Sequence, residues 1–194
     1  MTYVGRFAPS PTGPLHFGSL ITAVASYCDA KANQGTWLVR IEDTDIPRIY
    51  PNSESHILNC IDAFEFEPDA DIIFQKNRLD LYEDVLEQLK QAQQIYACEC
   101  TRKQLGSNHI YVGTCRDLHL DFLNQAIRLK VDDQLICFDD LLQGRQCSNL
   151  KNDLGDFVLK RRDGIISYQL AVVVDDYLQG ITHVVRGADL LDNT

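Results

Sequence analysis

Gly5-Arg6-Phe7-Ala8-Pro9-Ser10-Pro11-Thr12-Gly13-Pro14-Leu15-His16-Phe17-Gly18-Ser19 joins a short apolar strand to a helix through a rigid loop with few long side chains. Pro9, Pro11 and Pro14 fix φ and remove backbone donors, Gly13 admits conformations other residues resist, and Gly18 lets a ligand approach the backbone of the following helix. The first turn of that helix offers unpaired N–H groups at the positive end of its dipole, which suits a phosphate. His16 stands there to donate one more hydrogen bond. A nucleotide is the ligand such a loop can hold. His-x-Gly alone also fits an ordinary helix start, but the whole run is far more restrictive.

Outward from the loop, Tyr3 to Phe7 reads as a buried strand and Leu15 to about Ala32 as a helix with Leu20, Val24 and Tyr27 on its apolar face and Gly35 just past its end. Thr36 to Ile41 is a second strand. Strand, helix, strand opens a parallel α/β nucleotide-binding fold, and Glu42-Asp43-Thr44-Asp45 then falls at the carboxyl end of a strand, where such folds bind ligands. A helix fits Ser53 to about Phe64, Ile72 to Phe74 a third strand, and a further helix follows Asn77 with Leu81, Val85, Leu86 and Leu89 inward.

Past Ile95 the pattern changes. Cys98 to Cys115 forms a compact loop, Ala126 to Val131 and Leu135 to Leu141 alternate as strands do, and Asp163-Gly164 turns Phe157–Leu159 back onto Ile165–Tyr168 as a hairpin. Gly180 to Gly187 returns to the main sheet. The expected division is 1–94 for the first part of a nucleotide-binding domain, 95–155 for a β-rich insertion and 156–194 for the return. Asp192-Asn193-Thr194 falls where another helix should be under way, so the sequence reads as part of a longer protein.

Across 194 residues, a hydrophobic content of 45% allows a real core, and a net charge of -10 argues against indiscriminate nucleic-acid binding. Lys160-Arg161-Arg162 is the densest basic strip, and a solvated hairpin end beside Asp163-Gly164 is the better account of it. No apolar run spans a membrane and the N-terminus lacks signal-peptide order, so a cytoplasmic, membrane-free protein is expected. A monomer is the working expectation, although nothing in the sequence fixes the oligomeric state. The cysteines number seven, and a cytosolic chain keeps thiols reduced. Metal ligation therefore outranks disulfides, and Cys28, Cys60, Cys137 and Cys147 are expected to pack as small hydrophobes.

Four segments together carry a family resemblance: the His16 loop, Arg40-Ile41-Glu42-Asp43-Thr44-Asp45, the Cys98 to Cys115 cluster, and Val184-Val185-Arg186-Gly187-Ala188-Asp189. The chain resembles class I aminoacyl-tRNA synthetases of the glutamyl branch over its whole length. The resemblance implies a Rossmann-like parallel sheet with a β-rich, zinc-containing insertion. It implies an ATP site over Pro9, Ser10, Pro11, Thr12, Gly13, Pro14, Leu15, His16, Phe17, Gly18 and Ser19, with His16 catalytic, and a glutamate set of Arg6, Phe7, Ala8, Pro9, Ser10, Glu42, Tyr168 and Arg186.

The assignments make chemical sense. Guanidinium forks at Arg6 and Arg186 suit an amino acid with two carboxylates, Glu42 neutralises its ammonium, and Tyr168 adds a hydroxyl. Without the family, Arg6 and Arg186 can simply pair with Glu42 and Asp43. The implied reaction is adenylate formation from L-glutamate and ATP with its Mg²⁺. Asp43 and Asp45 are more cheaply read as capping or solvated residues than as Mg²⁺ ligands.

Pro14-Leu15-His16-Phe17-Gly18-Ser19 is most similar to the sub-branch whose acceptor is queuosine in the anticodon of tRNA(Asp). The alternatives are a fragment charging tRNA(Glu) and a non-catalytic paralogue binding glutamate or RNA. The family's second signature, a Lys-rich loop that steadies pyrophosphate, has no counterpart after Arg186, so slow turnover is expected of this chain alone.

Cys98-x-Cys100 followed by Cys115 suits one structural Zn²⁺, which takes four tetrahedral N or S ligands. Chemistry alone nominates His109 or His119 as the fourth ligand. The family resemblance implies Tyr111, giving Cys98, Cys100, Tyr111 and Cys115.

Overall fold

The elements run β1 (Val4–Phe7), α1 (Phe17–Ala32), β2 (Thr36–Ile41), α2 (Ser53–Ala63), β3 (Ile73–Phe74), α3 (Leu79–Gln91), β4 (Ile95–Cys98), one-turn α4 (Arg102–Leu105), β5 (Ala126–Leu129), β6 (Leu135–Asp140), β7 (Gly144–Asn149), β8 (Val158–Lys160) and α5 (Tyr168–Leu178). They belong to a computed structural model that describes residues 2–105 and 110–193. Two compact units emerge, one formed by Met1–Asp80 with Tyr168–Thr194, the other by Leu81–Ser167.

In the first unit β1, β2 and β3 form a parallel sheet in that order, with Val4 opposite Thr36 and Ile41 opposite Phe74. The returning chain bridges Gly5 at His183 in parallel, and Val4 O accepts the amides of Thr182 and His183. Alternation along β2 sorts its side chains. Trp37, Val39 and Ile41 pack with Tyr3, Phe7, Ala23, Ala30, Ile57 and Ile61 in one core, while Arg40 points to the opposite face.

Helix α1 departs from the expected stripe. Its buried residues are the small Ala23, Ser26 and Ala30, which let it approach the sheet closely, and Val24 is exposed. Ser26 Oγ accepts from the buried Trp37 indole at 3.0 Å, satisfying a donor that would otherwise be stranded. Gly35 serves close approach: a Cβ there would lie 2.6 Å from Tyr3 O, and Gln34 takes the left-handed conformation at φ 51°.

The hairpin expected at Asp163-Gly164 is present but short. Lys160 bridges Ile166, and Tyr168 is not in its second arm but begins helix α5. Leu170, Ala171 and Val174 give α5 a buried face at helical spacing, and this overrides the β propensity of its three consecutive valines.

The second unit holds the antiparallel sheet β4-β5-β8 and the two-stranded β6-β7 hairpin. In α3 the inward residues are Tyr82 and Leu86, whereas Leu81, expected inside, is exposed. Strand β7 carries no apolar alternation and owes its place to pairing with β6. That pairing corrects the cysteine expectation. Cys137 lies directly opposite Cys147 with a Cα–Cα separation of 4.1 Å, and the two form a disulfide instead of packing as separate thiols. Cys28, Cys60, Cys98, Cys100 and Cys115 remain thiols. Alkylation of the denatured, chelator-treated chain should therefore label five cysteines before reduction and seven after. Seven labels without reductant would remove the bridge.

Candidate active site and metal centre

The loop after β1 is fastened by the carbonyls of its prolines. Pro9 O accepts from Glu42 N at 3.0 Å, and Pro11 O accepts from Tyr50 N at 2.9 Å and Ser53 Oγ at 2.6 Å. Phe7 and Leu15 are spent on the apolar core, so only the backbone of Phe7 can face a ligand. Pro9 and Pro11 are buried, Ala8, Gly13 and Ser19 half-buried, and Ser10, Thr12, Pro14, His16, Phe17 and Gly18 exposed.

His16 is the N-cap of α1: its Nδ1 accepts from Ser19 N at 3.2 Å, and Nε2 stands 3.2 Å from Ser19 Oγ. Gly18 leaves room for this ring, since a Cβ there would lie 3.0 Å from His16 Cε1, a tight contact. The ring is thus held over the amides it was expected to supplement.

Charged residues gather on the face of β2 away from the apolar core. Arg6 is buried and reaches Asp176 of α5 through Nε at 3.3 Å and Nη2 at 3.4 Å. Arg40, fully buried, donates to Glu42 Oε1 at 3.0 Å, Asp176 Oδ1 at 2.7 Å and Gln179 Oε1 at 2.7 Å. Asp175 binds Arg78 at 2.8 Å and Gln75 at 2.8 Å. The pairing of Arg6 with Glu42 or Asp43 is replaced by these contacts, and Asp43 accepts from Lys76 N and faces its ammonium at 3.2 Å. Asp43 is a structural cap.

Burial pushes the Glu42 carboxyl above its ordinary range, against the pull of Arg40 and Arg6. Burial lowers the Arg40 guanidinium, but Glu42 and Asp176 more than compensate, and it stays charged. Tyr168 donates nothing to the sheet; its hydroxyl meets Arg186 Nη2 at 3.2 Å. Its pKa is raised by burial and then by the charge of Glu42, with Arg186, Arg6 and Arg40 opposing. Tyr168 thus contacts Arg186 and feels the charges of Glu42 and Arg6.

The second unit brings Cys98, Cys100 and Cys115 together, their sulfurs within 4.8 Å of one another. Cys100 Sγ and Cys115 Sγ are 3.5 Å apart, and Tyr111 Oη lies 3.4 Å from both Cys98 Sγ and Cys100 Sγ. A tetrahedron with metal–sulfur bonds of ~2.3 Å has sulfur–sulfur edges of about 3.8 Å. The three thiols are able to hold a dication, and Tyr111 Oη, which also accepts from Cys115 N at 3.0 Å, stands beside them. Burial and the neighbouring thiols push the Tyr111 phenol pKa up.

His119 is exposed and stands outside this group, and His109 lies outside the described residues. Tyr111 is pinned from three sides. Its backbone bridges Gly155, where φ is +66° and a Cβ would strike Tyr111 O at 2.6 Å, and the Arg128 guanidinium stacks 4.0 Å from its ring. Asp156 N donates to Tyr111 O, while the Asp156 carboxylate takes Tyr96, Arg116 and Val131 N. Burial raises the Cys98 thiol, yet contacts with Tyr111 and Arg128 bring it below its usual value.

The family model for tRNA synthetases class I (E and Q), catalytic domain, matches residues 3–194. The chain belongs to this class I tRNA synthetase family. It is 81% identical over 192 residues to the glutamyl-Q tRNA(Asp) synthetase of Acinetobacter baylyi, covering 99% of this chain and 66% of that protein. It is 53% identical over 205 residues to the protein of the same name from Cupriavidus metallidurans, with 99% and 66% covered. Among solved structures, a glutamate tRNA ligase from Elizabethkingia meningosepticum in complex with its amino acid superposes with a TM-score of 0.87 at 31% identity, covering all of this chain and 45% of that one. No helix among the described residues is long and apolar enough to cross a membrane.

Within this synthetase catalytic domain, sequence reading missed Arg40, Asp175, Asp176 and Gln179, and the Arg128 contact on Tyr111. The signal for Arg40 was a charge two residues before Glu42 in an otherwise apolar strand. Asp175 and Asp176 were hidden because the helix carrying them went unrecognised.

Proposed function

We propose that the chain is the glutamate-activating part of a synthetase that forms glutamyl-adenylate from L-glutamate and ATP and transfers glutamate to queuosine in the anticodon of tRNA(Asp). What supports this reading is that Arg186 meets the Tyr168 hydroxyl at 3.2 Å, that Tyr168 feels the charges of Glu42 and Arg6, and that Pro9 O of the loop accepts from Glu42 N. The guanidiniums of Arg6 and Arg186 take the carboxylates of the amino acid and Glu42 takes its ammonium. The long contacts of Arg6 with Asp176 leave its fork able to exchange partners.

In adenylate formation the α-carboxylate oxygen attacks the α-phosphorus of ATP and the bond to pyrophosphate breaks, so the protein's task is alignment and charge stabilisation. The α1 amides not taken by His16 and the His16 ring would hold the phosphates, and Mg²⁺ bound with ATP would supply neutralisation of their charge. Cys98, Cys100, Tyr111 and Cys115 would hold a structural Zn²⁺ that ties the chain on either side of Tyr111 to β4.

The choice of acceptor follows the relatives at 81% and 53% identity, both named for tRNA(Asp). It is tested by transfer of labelled glutamate by the chain joined to the remaining third that those relatives carry. Queuosine-containing tRNA(Asp) should be labelled at the anticodon and queuosine-free tRNA(Asp) should not. Label at a 3′ terminus or on tRNA(Glu) would make this a glutamyl-tRNA synthetase, and the absence of any label or pyrophosphate exchange would favour a binding protein.

A further inference from the structure

Arg40 is a guanidinium in a place that ordinarily excludes one. It sits in the central strand with no exposed surface, and burying an unpaired cation there would be prohibitive. Its two terminal nitrogens are committed to two destinations. Nη2 holds Glu42, one residue past the end of β2, and Nη1 holds Asp176 on α5 and Gln179 just after it, while Nε faces Asp175 at 3.8 Å without a hydrogen bond. Asp176 Oδ1 is shared. The same oxygen that takes Arg40 at 2.7 Å takes Arg6 at 3.3 Å. One buried side chain thus stands behind both the anion and a cation of the amino-acid pocket.

We propose that Arg40 is the positioning residue of that pocket, fixing the Glu42 carboxylate directly and the Arg6 guanidinium through Asp176, without touching the amino acid. The proposal rests on the glutamate-binding reading of Arg6 and Glu42. A planar fork is needed because a lysine ammonium, a single point on a flexible stem, cannot hold two carboxylates on separate elements in fixed directions. The groups facing Glu42 are Arg40 near the end of β2, Arg6 on β1, and Asp176 and Tyr168 on α5. Arg40 and Arg6 favour its ionised form, and Asp176 opposes it.

The test is calorimetric binding of L-glutamate as a function of pH to wild type, Arg40→Lys, Asp176→Asn and, as a control without the titrating carboxyl, Glu42→Gln, each checked for folding by circular dichroism. Arg40→Lys should weaken glutamate about tenfold or more, the loss of a charge-assisted bond, with its acid limb near that of wild type because the charge remains. Asp176→Asn should also weaken binding, and its acid limb should move to lower pH because a charge opposing Glu42 ionisation is gone. A merely structural role would lower affinity in both variants without moving the Asp176→Asn limb, and that outcome would overturn the proposal.

If Arg40→Lys does not fold, Asp176→Asn alone decides. Wild-type affinity and an unmoved limb in folded Arg40→Lys and Asp176→Asn would overturn the proposal while leaving the pocket intact. A wild type that binds no glutamate would overturn the pocket itself.

Discussion

Arg186→Ala should weaken L-glutamate by roughly ten- to a hundredfold and leave the fold intact. Arg186 is half-buried on the segment that returns beside β1, and its contact with the Tyr168 hydroxyl at 3.2 Å aims the guanidinium without committing it to the hydrophobic core. Removing one hydrogen bond to a charged group costs about 1.5 to 3 kcal/mol, and each 1.4 kcal/mol is about tenfold in affinity. Tyr168 keeps its proton, since burial and the Glu42 charge hold its pKa up, so it stays a neutral donor beside the vacated site and cannot replace the lost cation. Isothermal calorimetry with a melting control measures both quantities. Unchanged affinity, or a variant that no longer folds, would remove Arg186 from the pocket.

Cys115→Ser should release the metal and lower the melting temperature by about 6 to 12 °C. Cys115 is buried, contributes a thiol to the Cys98 and Cys100 group, and supplies the amide that Tyr111 Oη accepts. A structural zinc site is worth roughly 10 to 16 kcal/mol of apparent binding. Even about 3 kcal/mol of that total produces the stated shift at ~2 to 4 °C per kcal/mol for a chain of this size. Elemental analysis of wild type purified without chelator should find close to one equivalent of zinc. Less than about half an equivalent, or a serine variant that melts with wild type, would contradict the centre.

The parallel sheet was legible because β1, α1 and β2 each carry a self-sufficient signal: apolar strands of the right length around a loop with three prolines. The meeting of the three sulfurs was legible from their tight spacing, and the Tyr111 hydroxyl lies 3.4 Å from two of them. What escaped reading was tertiary in origin. Val172, Val173 and Val174 favour a strand locally, and the helix there exists because Leu170, Ala171 and Val174 have a core to fill and Asp175 has Arg78 and Gln75 to meet. Strand β7 has no pattern of its own, so the Cys137–Cys147 pairing could not be seen before its register with β6. The buried face of α1 is made of alanine and serine, which hydrophobic periodicity underweights against Val24.

The proposed activity requires that the charges around Arg6, Glu42 and Arg186 read one amino acid. The most direct measurement is calorimetric titration of the wild-type chain with L-glutamate, L-glutamine and L-aspartate under identical conditions. A site built to meet two carboxylates and an ammonium leaves a buried charged group unpaired with glutamine and misplaces the second carboxylate with aspartate, each a loss of about 1 to 3 kcal/mol. Glutamate should therefore bind roughly tenfold or more tightly than either. Equal affinity for glutamate and glutamine would contradict the assignment of these residues.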